Sequence, residues 1–201
     1  MRKNIYVLRN LLKGHVNVDL RDDNGQTSLH ILCNHLNGRV DRALDVCAIL
    51  LEYGACVNKP SPVKMTSILT LSEFETAIAL AIYTISAGGD ISFVFTSSRM
   101  LELFGSFKYI HIDVKQLFLD ILYESGTVLP TLDATNNELT ERLTLRQANP
   151  RTLLRLAADV LRKTMLPNAW VGLKRLSMPP GFDKEYIIFD ARSKVSTWFK
   201  G

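Results

Sequence analysis

The strongest constraint on the fold is a helix-ending pattern that occurs twice in the first third of the chain. It reads LLKGHVN at 11–17 and LLEYGACVN at 50–58, with Gly14 and Gly54 separated by 40 residues. Glycine after an apolar helical run is typical of a helix terminus in the left-handed conformation. A unit that returns after a few tens of residues predicts stacked helical repeats, because a single unit cannot bury its apolar face alone.

A second pattern lies between these two endings, in the segment DDNGQTSLHILC at 22–33. Gly25 suits a tight turn that requires a positive φ. Thr27 then opens a helix, and Leu29 points into the stack. A similar opening occurs at 75–81 with Thr76, and a further helix ending occurs at 118–126 with Gly126.

Together these segments resemble the ankyrin repeat, whose opening reads Gly-x-Thr-Pro-Leu-His-x-Ala. Ser28 and Leu32 replace the usual Pro and Ala, and the resemblance implies that His30 ties the motif together by hydrogen bonds. The family period is about 33 residues, so a loop near 37–40 must absorb the excess before Gly54.

The repeats are irregular between 86 and 110, where AGGD at 87–90 is typical of a loop. Residues 91–95 fit either a short strand or a buried stretch, and the third repeat ends at either Gly105 or Gly126. The expected architecture is therefore all-α. It has an ankyrin-repeat region at 1–130, with a partial first repeat and about two more, and a polar junction at 131–149.

The C-terminal part contains an apolar stripe at helical spacing. The stripe comprises Leu153, Leu156, Ala157, Val160, Leu161 and Thr164. Asn149 or Thr152 can cap the start of this helix, and Pro167 stops it. A helix of about four turns is marginal alone in water, so the stripe must pack on the chain's own core or in a groove of another protein.

Residues 152–161, together with LSMPPGFDKEY at 176–186, resemble a SOCS box. The first pattern of that box is a small residue or Pro, then Leu, three free positions, Cys or Ala, three free positions and an apolar residue. The chain fills the four fixed positions with Thr152, Leu153, Ala157 and Leu161. The resemblance implies a three-helix module at 150–190, followed by a tail at 191–201.

The resemblance also implies roles for these residues. Thr152, Leu153, Ala157 and Leu161 would contact elongin C. Leu176, Met178 and Pro179 would contact a cullin, although Ser177 replaces the first Pro of the usual Leu-Pro-apolar-Pro.

Both parts and their order are similar to the ankyrin repeat and SOCS box family. Members of that family are non-catalytic adaptors that bring a protein substrate to elongin B/C, cullin-5 and its RING partner. The alternative is an ankyrin interaction module whose C-terminal helices only cap the stack.

Composition and motifs limit the other function classes. No apolar run approaches the length of about 20 residues that spans a membrane. The chain has no GxxxxGK[ST], GxGxxG or GxSxG motif, and His30-x-x-Cys33 lacks a second pair at zinc spacing, so we expect no cofactor, metal or catalytic residue.

The remaining compositional features concern charge and cysteine. From Arg151 onward ten Lys and Arg oppose four Asp and Glu, but the basic residues are dispersed, so we expect no nucleic-acid partner. The three cysteines lie within helical patterns and fit reduced thiols in an intracellular protein. We expect that protein to be cytoplasmic, with the nucleus as the alternative.

Overall fold

A computed structural model of the chain describes residues 2–34, 40–59, 71–90, 118–123, 153–165 and 167–177. These residues form helices and turns and contain no β-strand, which confirms the all-α class for this part of the chain. The helices are α1 (Arg2–Lys13), α2 (Ser28–Asn34), α3 (Val40–Glu52), α4 (Leu71–Ser86), α5 (Leu153–Thr164) and α6 (Ala169–Arg175). A further helical stretch covers 118–123.

Helices α3 and α4 form the centre of the core. Every described side chain of α4 is buried, and α3 buries an unbroken run from Cys47 to Leu51. A helix that is apolar on all sides belongs in the interior of a protein. Helices α1, α2, α4 and α6 all contact α3, which is therefore the hub of the packing.

Three helix endings share one backbone geometry. The residues in the left-handed conformation are His15, Gly54 and Gly88, with φ of 59°, 93° and 91°. In the second and third endings the next amide closes the same bond, from Ala55 N–H to Leu50 O at 2.9 Å and from Gly89 N–H to Thr84 O at 2.8 Å. Bonds of this kind satisfy carbonyls that a helix terminus leaves without partners. Gly54 and Gly88 are 34 residues apart, which is close to one repeat period.

Successive turns are joined by an equivalent pair of side chains. Asp19 Oδ1 accepts from Cys56 N–H at 3.0 Å, and Asn58 Oδ1 accepts from Asp90 N–H at 2.8 Å. Asn58 also donates from Nδ2 to Gly88 O at 3.0 Å. Each turn therefore binds the next one in the same register.

The structure extends one expectation about the repeats and corrects another. The loop predicted at 87–90 is a turn, and it is also the third helix ending, since Gly88 closes α4 with the geometry of Gly54. Thr76 does not open a helix, because α4 begins at Leu71 and Thr76 is buried in its interior. The apolar residues around Thr76 continue one helix rather than starting a second one. Gly105, Gly126, the alternatives at 91–95, the junction at 131–149 and the tail at 191–201 lie outside the described residues.

Candidate protein-docking helix

The hairpin formed by α5 and α6 is fastened to the core by Asn168. This side chain caps α6, because its Oδ1 accepts from Val171 N–H at 3.1 Å. Its Nδ2 donates to Leu51 O at 3.1 Å and to Ala55 O at 2.8 Å, at the end of α3. Asn168 is buried, and both atoms of its amide are hydrogen-bonded. One residue therefore starts α6 and binds it to the terminus of α3.

Trp170 provides the second attachment, to the end of α4. Its Nε1 donates to Ser86 Oγ at 2.9 Å, and its ring centroid lies 5.6 Å from that of Tyr83. The backbone adds a bond from Ala169 N–H to Ala87 O at 2.9 Å. A buried Trp with a satisfied N–H makes a large contribution to packing, so α6 is an integral part of the core.

Helix α5 approaches the core at Gly88. A Cβ at this position would lie 2.1 Å from Arg162 O, which leaves space only for glycine. The same glycine has a positive φ, so the turn and the close approach both depend on it.

The inner face of α5 packs against α6. Ala158 of α5 and Leu173 of α6 are buried between the two helices, with Leu161 and Met165 packed against them. The buried Arg162 bonds Asp159 Oδ1 at 3.3 Å, and Lys163 Nζ bonds the other oxygen of this carboxylate at 2.9 Å. The inner face therefore combines a small apolar cluster with a paired charge.

The outer face of α5 is apolar and open to solvent. Leu153 is 83% exposed, Val160 is 60% exposed and Leu156 is 41% exposed. Ala157 is exposed on the same side of the helix. Contiguous apolar residues on the surface of a packed element are typical of protein contact sites.

The predicted partner-binding residues do not all lie on this outer face. Leu153 and Ala157 do, whereas the half-buried Leu161 packs inside the hairpin, one helical turn after Ala158. Leu176 is 42% exposed just after α6, where the backbone is extended. Thr152, Met178 and Pro179 lie outside the described residues.

The predicted repeat residues at 25–30 form a compact hydrogen-bonded turn before α2. Gly25 has a φ of 73°, and Leu29 is buried. Thr27 N–H donates to His30 Nδ1 at 3.0 Å, which makes Nδ1 the acceptor and leaves Nε2–H to donate to Lys59 O at 2.8 Å. His30 therefore connects the start of α2 to the turn that follows α3.

Sequence reasoning missed three structural side chains, namely Asp19, Asn58 and Asn168. Asn168 carried a usable signal, since an Asn after Pro167 and before an apolar run is a typical N-cap. The sequence pattern indicates the wrong equivalent for Asn58. The Val-Asn pairs of the two helix endings align Asn58 with Asn17, whereas in the structure Asp19 makes the hydrogen bond equivalent to that of Asn58.

The described residues contain no arrangement typical of a metal site or of a reactive thiol. Among them no group of three or more His, Cys, Asp or Glu side chains is placed to hold a metal ion. Burial raises the pKa of the Cys47 thiol well above its ordinary value, and nearby Cys33 raises it further. Such a thiol is protonated and unreactive at neutral pH. None of the described helices has the length and apolar character needed to cross a bilayer.

Comparisons with known proteins returned no similar protein. No protein-family profile, curated protein or solved structure matches the chain.

Proposed function

We propose that the chain is a substrate-recognition adaptor of an elongin B/C–cullin ubiquitin ligase. The observation that carries the proposal is the outer face of α5, which exposes Leu153, Leu156, Ala157 and Val160. In this proposal α1–α4 belong to an ankyrin-type stack that binds the substrate. Helices α5 and α6 are the first two helices of a SOCS box.

Physical arguments support this proposal in addition to the sequence resemblance. Burying an apolar side chain stabilises a complex by roughly 1.5–3 kcal/mol, and the outer face offers three large ones on a single helix. The helix is already formed and fastened to the core through α6, so docking costs little conformational entropy. An apolar ridge on an ordered helix fits the helix-in-groove mode of recognition.

In this function the chain acts by proximity and performs no chemistry itself. Leu153 enters an apolar pocket of elongin C, and Leu176, with Met178 and Pro179, contacts the cullin, cullin-5 being the expected one. The stack holds the substrate near a charged ubiquitin-conjugating enzyme and so raises its effective concentration there. The partly buried Leu161 orients the docking helix from inside the hairpin.

A second function also has an observation in its favour. Asn168 and Trp170 bind α6 to the ends of α3 and α4, as the cap of a repeat stack would do. The chain would then be an ankyrin interaction module with no link to ubiquitin. A cap explains α6, but it gives no reason for three large apolar side chains to face outward from α5.

Size-exclusion chromatography with light scattering separates the two functions. The purified chain is mixed with elongin B/C, and the adaptor function predicts a stable complex of three proteins. Leu153→Asp should abolish the complex, because it places a charge in an apolar pocket at a cost of several kcal/mol.

Leu20→Asp is the matched control, because Leu20 is also an exposed leucine but lies outside α5. This variant should bind elongin B/C as the wild type does. A folded, monodisperse wild-type chain that binds no elongin B/C would leave the capping function as the better account.

A further inference from the structure

The end of α6 leads into an exposed basic segment that finishes in a serine hydroxyl. Lys174 and Arg175 are the last two residues of α6, and both are exposed. The backbone becomes extended at Leu176, with φ of −80° and ψ of 131°, and the exposed Ser177 follows. The segment at 174–177, KRLS, therefore places two positive charges two and three positions before an accessible hydroxyl.

The two basic side chains are not used by the fold as ion pairs. Among the described residues, neither Lys174 nor Arg175 belongs to a salt bridge. Positive charge near the C-terminus of a helix is favourable, which accounts for the two charges on α6. It does not require a serine just beyond the helix. Both charges remain available to a partner protein.

A second hydroxyl with basic neighbours, that of Thr164, gives an internal comparison. Arg162 and Lys163 precede it, but both pair with Asp159. The hydroxyl itself donates to Val160 O at 2.9 Å. The charges and the hydroxyl are therefore engaged within α5. The KRLS segment has no such contacts within the part of the chain that the structure describes.

We propose that Ser177 is a phosphorylation site for a basophilic serine kinase. Such a kinase selects basic residues before the serine through carboxylates in its substrate cleft, and charge patterns of this kind give kinases their specificity. Lys174 and Arg175 provide the two charges. The residue after the serine is Met178 and not Pro, which excludes kinases that require proline there.

The phosphoryl transfer uses ATP as the second substrate. Ser177 Oγ attacks the γ-phosphorus of magnesium-bound ATP, the bond from that phosphorus to its bridging oxygen breaks, and ADP leaves. The hydroxyl proton passes to a carboxylate of the kinase. Leu173 is buried, whereas residues 174–177 are all exposed. The last turn of α6 can therefore open into a kinase cleft while the α5–α6 hairpin stays packed.

The phosphate also has a consequence for partner binding, which rests on the proposed adaptor function. It adds a charge of about −1.5 to −2 next to Leu176, an expected cullin contact. Because removing this charge from water at an apolar contact is unfavourable, phosphorylation should weaken cullin binding. Elongin B/C binding uses the outer face of α5 and should be unchanged.

The proposal is tested by incubating the full chain with magnesium, ATP and the catalytic subunit of cyclic-AMP-dependent protein kinase, which is basophilic. Mass spectrometry should find one phosphoryl group, located on Ser177. A casein kinase, which selects acidic residues, should not modify this serine. Ser177→Ala should abolish the modification, and since the side chain is exposed this variant should fold normally.

Variants of the basic residues test the basis of recognition. Lys174→Gln and Arg175→Gln should each lower kcat/KM of the kinase for the chain about tenfold, because each removes a charge contact with the cleft. Lys13→Gln is the matched control, since it removes an exposed lysine of α1. It should leave kcat/KM unchanged.

Three results would overturn the proposal. The first is phosphorylation of a peptide of residues 170–180 without phosphorylation of the folded chain, which would show that the fold hides the serine. The second is a phosphate on Thr164 in place of Ser177, and the third is an unchanged kcat/KM in both glutamine variants. Failure to bind elongin B/C would count against the adaptor function alone, because none of these measurements uses elongin or a cullin.

Discussion

At the scale of single residues, the left-handed positions of the three helix endings are not equivalent in cost. His15 holds a positive φ with a full side chain, whereas Gly54 and Gly88 do so without a Cβ. At Gly88 the backbone of Arg162 also occupies the space where a Cβ would stand. Local strain and tertiary packing therefore act together at Gly88, where the neighbour is backbone, and also at Gly54, where a Cβ would lie 3.0 Å from Pro167 Cγ.

This difference predicts that two substitutions change the free energy of unfolding by clearly different amounts. Gly88→Ala should lower the free energy of unfolding by more than about 2 kcal/mol, because it combines a strained φ with a backbone clash. His15→Gly should raise the free energy of unfolding or leave it within about 1 kcal/mol, since relief of strain offsets the greater freedom of glycine in the unfolded chain. Urea unfolding measures both, and similar losses in the two variants would contradict the assignment.

The Cys47 thiol gives a prediction about pH. Burial and nearby Cys33 raise its pKa in the folded state above the ordinary value of 9.0. The unfolded chain therefore releases this proton first, and the folded state loses up to about 1.4 kcal/mol per pH unit above about pH 9. Below that pH the contribution is fully present.

Urea unfolding of the wild type and of Cys47→Ala at about pH 8 and about pH 10 isolates this contribution from other titrating groups. The stability advantage of the wild type should shrink at the higher pH. An advantage that is equal at both values would show that the thiol does not titrate in this way.

At the scale of elements, α6 is the connection between the core and α5. Asn168 attaches α6 to the core with two hydrogen bonds, to carbonyls at the end of α3. Its third hydrogen bond caps α6 itself. A helix of seven residues is too short to be stable alone, so these bonds and the packing of Trp170 must hold it.

Two substitutions of Asn168 separate its roles. Asn168→Ala removes the cap and both donors, and should cost about 2–4 kcal/mol of unfolding free energy. Asn168→Asp keeps the capping oxygen but places a carboxylate against Leu51 O and Ala55 O, so it should be at least as destabilising. Thermal unfolding checks both, and an Asp variant as stable as the wild type would mean that the carbonyl bonds contribute nothing.

Sequence patterns predicted some elements well and others poorly, for identifiable reasons. The helix from Leu153 and the turn at Gly25 follow local rules of periodicity and backbone freedom, and both were predictable. Leu161 belongs to the same predicted stripe as Leu153 and Val160, but it packs inward with Leu173, since the position of α6 decides which side of α5 is covered. Thr76 matched a short motif, but the apolar run through it favours one continuous helix. Contacts between distant segments, such as Asn168 with Leu51, leave no periodic trace in the sequence.

At the scale of the whole molecule, the α5–α6 hairpin combines two properties. Its inner side is part of the fold, through Asn168, Trp170 and the close approach at Gly88. Its outer side exposes Leu153 and Val160. The position of any protein bound to α5 is therefore fixed relative to α3 and α4, as an adaptor requires.

This arrangement predicts the effect of deleting residues 150–201. The remaining chain should unfold at a clearly lower urea concentration, because the deletion exposes Tyr83 and frees the carbonyls of Leu51 and Ala55. Such a loss is expected for an adaptor and for a cap alike, so point substitutions on α5 are the sharper test of function. A midpoint unchanged by the deletion would show that the hairpin is not part of the cooperative fold.

Hydroxyl-radical footprinting of the chain with and without elongin B/C tests directly whether α5 is the docking helix. Leu153 and Leu156 should be modified in the free chain and protected in the complex. Tyr6, which is also exposed but lies on α1, should be modified to the same extent in both samples. Unchanged modification of Leu153 at saturating elongin B/C would contradict the assignment of α5 as the docking helix.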